Sequence, residues 1–193
     1  MTDLVLVRHG PTDWNAEHRI QGHTDIPLSD YGRLVVAGWR IPVDFAGYDW
    51  ITSPLARARE TARLLGREPP SDDRLREQSW GAWEGRTLPE LRRADAAGVE
   101  MIEAQGLDFR PPEGESPREL QARLMSLTAE IAAAGRPTVA VCHKGVIRAL
   151  YALATGWSYR PPMPDRLDDD CCFHFRLAPD GRPTVAGLNI PLT

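Results

Sequence analysis

The chain has 193 residues, 42% of them hydrophobic, and a formal net charge of −4. That length suits one domain with a sizeable core, no apolar stretch is long enough to span a bilayer, and the acidic balance argues against a nucleic-acid binder that works by general phosphate neutralisation. The N-terminus shows no basic–apolar–small leader pattern, and three cysteines, with Cys171 and Cys172 adjacent, do not make a disulfide framework, so the expected compartment is the cytoplasm.

Strand and helix signals alternate along the chain. Leu4–Val7 is an apolar run rich in β-branched residues and reads as a buried strand. A helix is expected over Ser29–Ile41, a short strand over Tyr48–Thr52 and an amphipathic helix over Leu55–Gly66. Residues 79–112 show little periodicity and are expected as irregular cover over a site. Ser116-Pro117-Arg118-Glu119 is a helix start, with serine as N-cap, proline at the first turn and glutamate completing a capping box. That helix should run to about Ala134, where Gly135 and Pro137 end it. Thr138–Cys142 reads as a second buried strand, followed by a helix from Gly145 to about Ala154. Cys171–Leu177 and Thr184–Leu188, separated by Pro179-Asp180-Gly181, read as a hairpin. One domain over residues 1–193 accounts for all of this.

Arg8-His9-Gly10 falls where the first strand ends, and in open α/β sheets ligands bind at the carboxyl ends of strands. Arginine beside histidine there offers an anion clamp and a candidate nucleophile. A phosphoryl dianion needs several fixed positive donors, because its charge is spread over three oxygens. Arg57 follows another expected strand and His143 ends a third, so both are candidates for the same edge. His9 would then attack as a neutral imidazole, with its second nitrogen oriented by a hydrogen bond. Glu77 would protonate the leaving oxygen, with Glu84 a rival acid nearby.

The motifs carry this further. Arg8-His9-Gly10-Pro11-Thr12-Asp13-Trp14-Asn15 resembles the signature of the histidine phosphatase superfamily, the phosphoglycerate mutase-like proteins. In the family's order there follow Gln21-Gly22 with Asp25, Pro27 and Leu28, then Ser53-Pro54-Leu55-Ala56-Arg57-Ala58 with Thr61-Ala62. Leu75 and Glu77, Trp80-Gly81, Trp83-Glu84-Gly85, Gly114-Glu115-Ser116 and Val141-Cys142-His143 with Gly145 and Arg148 complete the series. The resemblance implies a three-layer α/β/α sandwich with a mostly parallel central sheet. It implies His9 as the phosphorylated residue, with Arg8, Arg57, Glu77 and His143 also catalytic. It further implies phosphate or substrate contacts from Arg8, Asn15, Gln21, Gly22, Arg57 and His143, and no metal. The substrate class implied is a small phosphorylated metabolite, with no nucleic acid or membrane partner, and a homodimer is among the arrangements seen in relatives.

Two departures from the pattern stand out. Lys144, the only lysine among 23 basic residues, follows His143 where the family commonly has glycine. A cation in the first turn of a helix opposes the macrodipole, which solvent exposure or a second anionic group on the substrate would offset. Lys144 is therefore expected to extend the positive pocket. Pro11 stands where mutase-like relatives commonly have glutamate. That loss, with the compact span between Glu77 and His143, favours a metal-independent phosphatase over a mutase primed by 2,3-bisphosphoglycerate, and the intact set of candidates argues against a non-catalytic phosphate-binding module. Arg59, Arg63 and Arg67 read as a solvated helix face, and Asp168-Asp169-Asp170 as a charged loop. His18 and His23 match no zinc spacing with His9, and His174 reads as a surface or packing residue.

Overall fold

The computed structural model describes residues 1–192. Strands β1 (Thr2–Arg8), β2 (Asp49–Thr52), β3 (Thr138–Cys142), β4 (Cys171–Leu177) and β5 (Pro183–Pro191) form one sheet in the order β2-β3-β1-β4-β5. β1 and β2 both pair with β3 in parallel, whereas β4 pairs antiparallel with β1 and with β5. The sheet is therefore mixed, with β4 the one strand opposed to the rest.

Alternation along the strands divides the core in two. Leu4 and Leu6 of β1, Ala140 and Cys142 of β3, and Phe173 and Phe175 of β4 share one face. It is covered by α5 (Pro117–Ala134), through Leu120, Leu124 and Leu127, and by α6 (Lys144–Thr155), through Val146, Ile147 and Leu150. Val5, Val7, Val139, Val141 and Cys172 point the other way, onto α2 (Asp30–Gly38) and α3 (Ala56–Leu64), through Val36, Ala58 and Ala62. Strands apolar on both faces are what a buried parallel sheet demands, and the runs Leu4–Val7 and Thr138–Cys142 carry that signature. The result is three layers: helix, sheet, helix.

The ends of the elements follow their local chemistry. The Ser116 side chain accepts from the Glu119 amide while the Glu119 carboxylate accepts from the Ser116 amide, the capping box expected for α5, and Gly135 closes the helix. The Ser29 hydroxyl caps α2, whose Gly32 lets the helix lie against the loop after β1. A Cβ there would sit 1.9 Å from the Pro11 carbonyl oxygen. A one-turn helix, α1 (Asp13–Ala16), is held by a Thr12–Asn15 capping box.

Residues 79–112 depart from the expected irregular cover, because Leu88–Glu103 forms a 16-residue helix, α4. The Thr87–Glu90 capping box starts it, with Pro89 in the first turn. Asp95 breaks its regularity (φ −156°, ψ 82°) and accepts the Gly98 amide. Each half presents only a short apolar stretch, Leu91 or Val99, to a small cluster around Trp83. That interruption is why no sustained 3.6-residue period is visible in the chain.

Leu124 is fully buried in α5 whereas Leu34 on α2 is 76% exposed. Leu124→Ala is expected to cost about 2–5 kcal/mol in urea denaturation, and Leu34→Ala less than about 0.5 kcal/mol.

Candidate active site

The parallel register carries beyond the strands into their loops. The His9 amide donates to the Cys142 carbonyl (2.9 Å) and the Ser53 amide to that of Val141 (2.9 Å), so the residues after β1, β2 and β3 leave the sheet side by side. The His9 and His143 rings lie 5.2 Å apart between centroids.

His9 Nδ1 donates to its neighbour's carbonyl, Gly10 O, at 2.7 Å, which leaves Nε2 with the lone pair. The Gly10 amide donates to Thr61 Oγ1 (3.0 Å), and that hydroxyl donates to the Arg57 carbonyl (2.7 Å), tying the loop to α3. Burial, then Arg8 and Arg57, push the His9 pKa well below its ordinary value, so the ring is neutral at physiological pH. His143 is depressed in the same way, by burial first and Arg57 next. Ser53 Oγ accepts from the Leu55 amide and shares a hydrogen bond with His143 Nε2 (2.7 Å), whose direction is set by the tautomer of the ring. The other ring nitrogen of His143, Nδ1, is buried and has no partner in the protein.

Arg57 is wholly buried on α3. It donates to the carbonyls of Thr24 (3.0 Å) and Gly22 (2.8 Å), while its Nε has no partner. Burial lowers its pKa, against the nearby carboxylates of Glu77, Asp25 and Glu84. Gly22, expected among the substrate contacts, holds this guanidinium through its carbonyl, and the side-chain oxygen of Gln21 beside it is buried without a partner. The loop carrying both is fastened to α3, because the Asp25 carboxylate accepts from the Ala56 amide and the Glu60 carboxylate from that of Leu28.

Arg8, His9, Pro11, Asn15, His18, Lys144, Asp169 and Asp170 line a cleft of about 310 Å³. Asn15 Oδ1 is committed to the Thr12 amide and hydroxyl, which turns its amide nitrogen into the available donor. Arg8 pairs with Asp169, and its Nε is buried without a partner. Lys144 opens α6, its Nζ 3.6 Å from Asp169 Oδ1. The sequence marks Asp169 only as part of a charged loop, since nothing in three consecutive aspartates points to a partner across 161 residues.

The two candidate acids differ in their surroundings. Glu84 accepts from the amides of His23, Trp80 and Thr24 and from the Thr24 hydroxyl. Burial alone would raise its pKa, but these bonds outweigh it and hold the group below the ordinary carboxylate value. Glu84 is a clasp on the Gln21–Thr24 loop. Glu77 instead lies at the start of α6, accepting from the Gly145 amide (3.1 Å) and from the Gln78 amide (2.8 Å). Its backbone carbonyl accepts from His23 Nε2 (2.8 Å) and Arg123 (2.9 Å), and Arg123 makes a two-toothed ion pair with Glu115. The motif Gly114-Glu115-Ser116 is visible in the chain, but not that Glu115 works through Arg123 on the backbone of residue 77. Among the described residues, no three His, Cys, Asp or Glu side chains gather as a metal site.

Arg8 next to it, His143 with its ring 5.2 Å away, and Arg57, whose charge reaches it from α3, thus flank a neutral histidine with a free nitrogen, although Arg57 and His143 do not themselves line the cleft. Residues 4–191 match the histidine phosphatase superfamily, branch 1. This chain belongs to that superfamily. Glucosyl-3-phosphoglycerate phosphatase of Mycobacterium tuberculosis is 36% identical over 169 residues, covering 77% of this chain and 73% of that one. A probable phosphoglycerate mutase of Klebsiella pneumoniae is 35% identical over 147 residues, 71% of this chain and 67% of that one. The structure of a mycobacterial glucosyl-3-phosphoglycerate phosphatase with inorganic phosphate superposes with a TM-score of 0.82 at 29% identity, covering 100% of this chain and 99% of that one. The three-layer, phosphoglycerate mutase-like fold is shared, and this histidine phosphatase has the α/β architecture that the motifs imply.

Two outcomes follow from the site's geometry. A Cβ on Gly145 would lie 2.1 Å from a Glu77 carboxylate oxygen. Gly145→Ala should therefore displace the Glu77 carboxylate and lower phosphatase kcat by more than about tenfold in steady-state phosphate release. The depressed histidines make the second. Below pH 6.5 the unfolded chain takes up protons that native His9 and His143 refuse. Stability present at pH 7 is then lost as pH falls from 6.5 towards their native pKa values, by up to about 1.4 kcal/mol per pH unit for each ring. In urea denaturation at pH 7 and pH 5, His9→Gln should lose less stability than the unmodified protein.

Proposed function

We propose that this histidine phosphatase hydrolyses a small phosphate monoester through a phosphohistidine on His9. The observation that carries the reading is the set of buried nitrogens without a protein partner, Arg8 Nε, Arg57 Nε and His143 Nδ1, near an imidazole whose Nδ1 is already committed. Buried polar nitrogens are rarely left unpaired, and two guanidinium donors with an imidazole nitrogen that can donate when protonated match the oxygens of a phosphoryl group.

In the first step His9 Nε2 forms a bond to phosphorus as the ester P–O bond breaks. The leaving oxygen takes its proton from Glu77, held at the start of α6. In the second step Glu77, now a carboxylate, takes a proton from water. That water attacks phosphorus, the P–N bond breaks, and inorganic phosphate and free His9 are regenerated. Arg8, Arg57, His143 and the Asn15 amide hold the phosphoryl oxygens throughout, so fixed charge supplies most of the stabilisation. The Nδ1–Gly10 bond keeps the imidazole in the reactive tautomer and at a fixed angle. A relative named a probable phosphoglycerate mutase keeps the alternative in view, since a mutase would return the phosphoryl group to the second hydroxyl of 3-phosphoglycerate instead of to water.

A phosphorus NMR time course with 3-phosphoglycerate, primed with 2,3-bisphosphoglycerate, separates the two. Steady release of inorganic phosphate supports hydrolysis, and 2-phosphoglycerate appearing first overturns it. His9→Ala should abolish acid-labile protein phosphorylation and lower kcat by about 1,000-fold or more. Because the His9 ring is neutral well below pH 6.5, the acid limb of kcat/KM should not show an imidazole midpoint near 6.5.

A further inference from the structure

Asp169 and Asp170, just before β4, line the cleft, yet hydrolysis by His9 and Glu77 makes no use of them. Asp169 pairs with Arg8, and its Oδ1 lies 3.6 Å from Lys144 Nζ, so one carboxylate stands between two cations. Burial would raise the Asp169 pKa, but Arg8 and Lys144 more than reverse this and keep it ionised. The neighbouring Asp170 is shifted up, by burial and by Asp169 itself.

The hold on the two cations is unequal. Arg8 is 17% exposed and bonded to Asp169, whereas Lys144 is 46% exposed and its contact is longer than a charge-assisted hydrogen bond of about 2.8 Å. Exposed pairs of this kind are weak and easily exchanged. A phosphoryl group on Arg8 Nε would lie on another edge of the guanidinium that already binds Asp169, and two anions on one cation repel. The site therefore contains a carboxylate where a second anion would sit, beside a lysine that can be released to it.

We propose that Asp169 is a specificity-determining residue that stands in for a carboxylate of the substrate, and that Lys144 is handed from Asp169 to that carboxylate. The preferred substrates are then small phosphate monoesters bearing a carboxylate a few bonds from the ester. This rests on the phosphatase reading for the word substrate, but its test is one of binding. In the alternative, Asp169 only holds Arg8 in place, and its loss harms every phosphorylated ligand alike.

Titration calorimetry of 3-phosphoglycerate and glycerol 3-phosphate on a His9→Gln background separates these without turnover. Lys144→Gln is expected to weaken 3-phosphoglycerate by about tenfold and glycerol 3-phosphate by less than about threefold. Asp169→Asn should tighten 3-phosphoglycerate by several-fold more than glycerol 3-phosphate, and the difference should vanish when Lys144→Gln is added. Equal changes on both ligands, a gain that survives loss of Lys144, or failure of both ligands to bind would overturn the proposal. Turnover with His9 intact is measured separately. Selective binding without hydrolysis would overturn the phosphatase reading and leave the carboxylate subsite standing.

Discussion

The site depends on the parallel pairing of β1 and β2 with β3. The register Arg8↔Cys142 and Thr52↔Val141 is continued by the His9 and Ser53 amides, so three loops leave the sheet at one level. A slip of one residue would turn each strand over and send its side chains to the wrong layer. In β1 and β3 both faces are buried and apolar, so a slip between them would disturb the packing of both cores at once. Packing thereby sets the spacing of the two histidines, and no direct bond between them is needed.

Concentrating positive charge at that edge has a cost, which the fold offsets locally. A fully buried arginine is rare unless it is paired, and Arg57 is met first by two backbone carbonyls rather than by a carboxylate in contact. The carboxylates of Glu77, Asp25 and Glu84 lie near enough to favour its charge. Each is also anchored to backbone amides, Glu77 at the α6 start, Asp25 on the α3 N-terminus and Glu84 on the Gln21–Thr24 loop. The acids thus balance the cations without blocking the donors left for a ligand. Burial first, and the neighbouring arginines next, keep both histidines neutral, which a nucleophilic nitrogen requires.

Much of this is legible in the chain because it is local. Leu4–Val7 followed by Arg8-His9, Ser116 followed by Glu119, and Thr138–Cys142 followed by His143 each couple an element to its end within a few residues. The contacts that the sequence does not disclose are long-range or carried by backbone. Arg123 reaches the Glu77 carbonyl, Thr61 reaches the Gly10 amide, and Asp169 crosses to Arg8. None of these has a spacing that periodicity or capping rules detect. α4 is hidden for a different reason, since its cap is local and readable but Asp95 divides its apolar face.

The reversed direction of β4 bears on how such a site can diversify. Because β4 opposes β1, with Val7 opposite Cys172, it is the beginning of β4 that reaches the edge where His9 and His143 lie. The segment between α6 and β4 thus delivers Asp169 from outside the parallel strands that carry His9 and His143. Changes of length or charge in that connection leave the β1–β3 ladder untouched, since such loops absorb insertions more readily than the elements they join. Ligand preference can drift in one part of the chain while the chemistry is inherited unchanged in another.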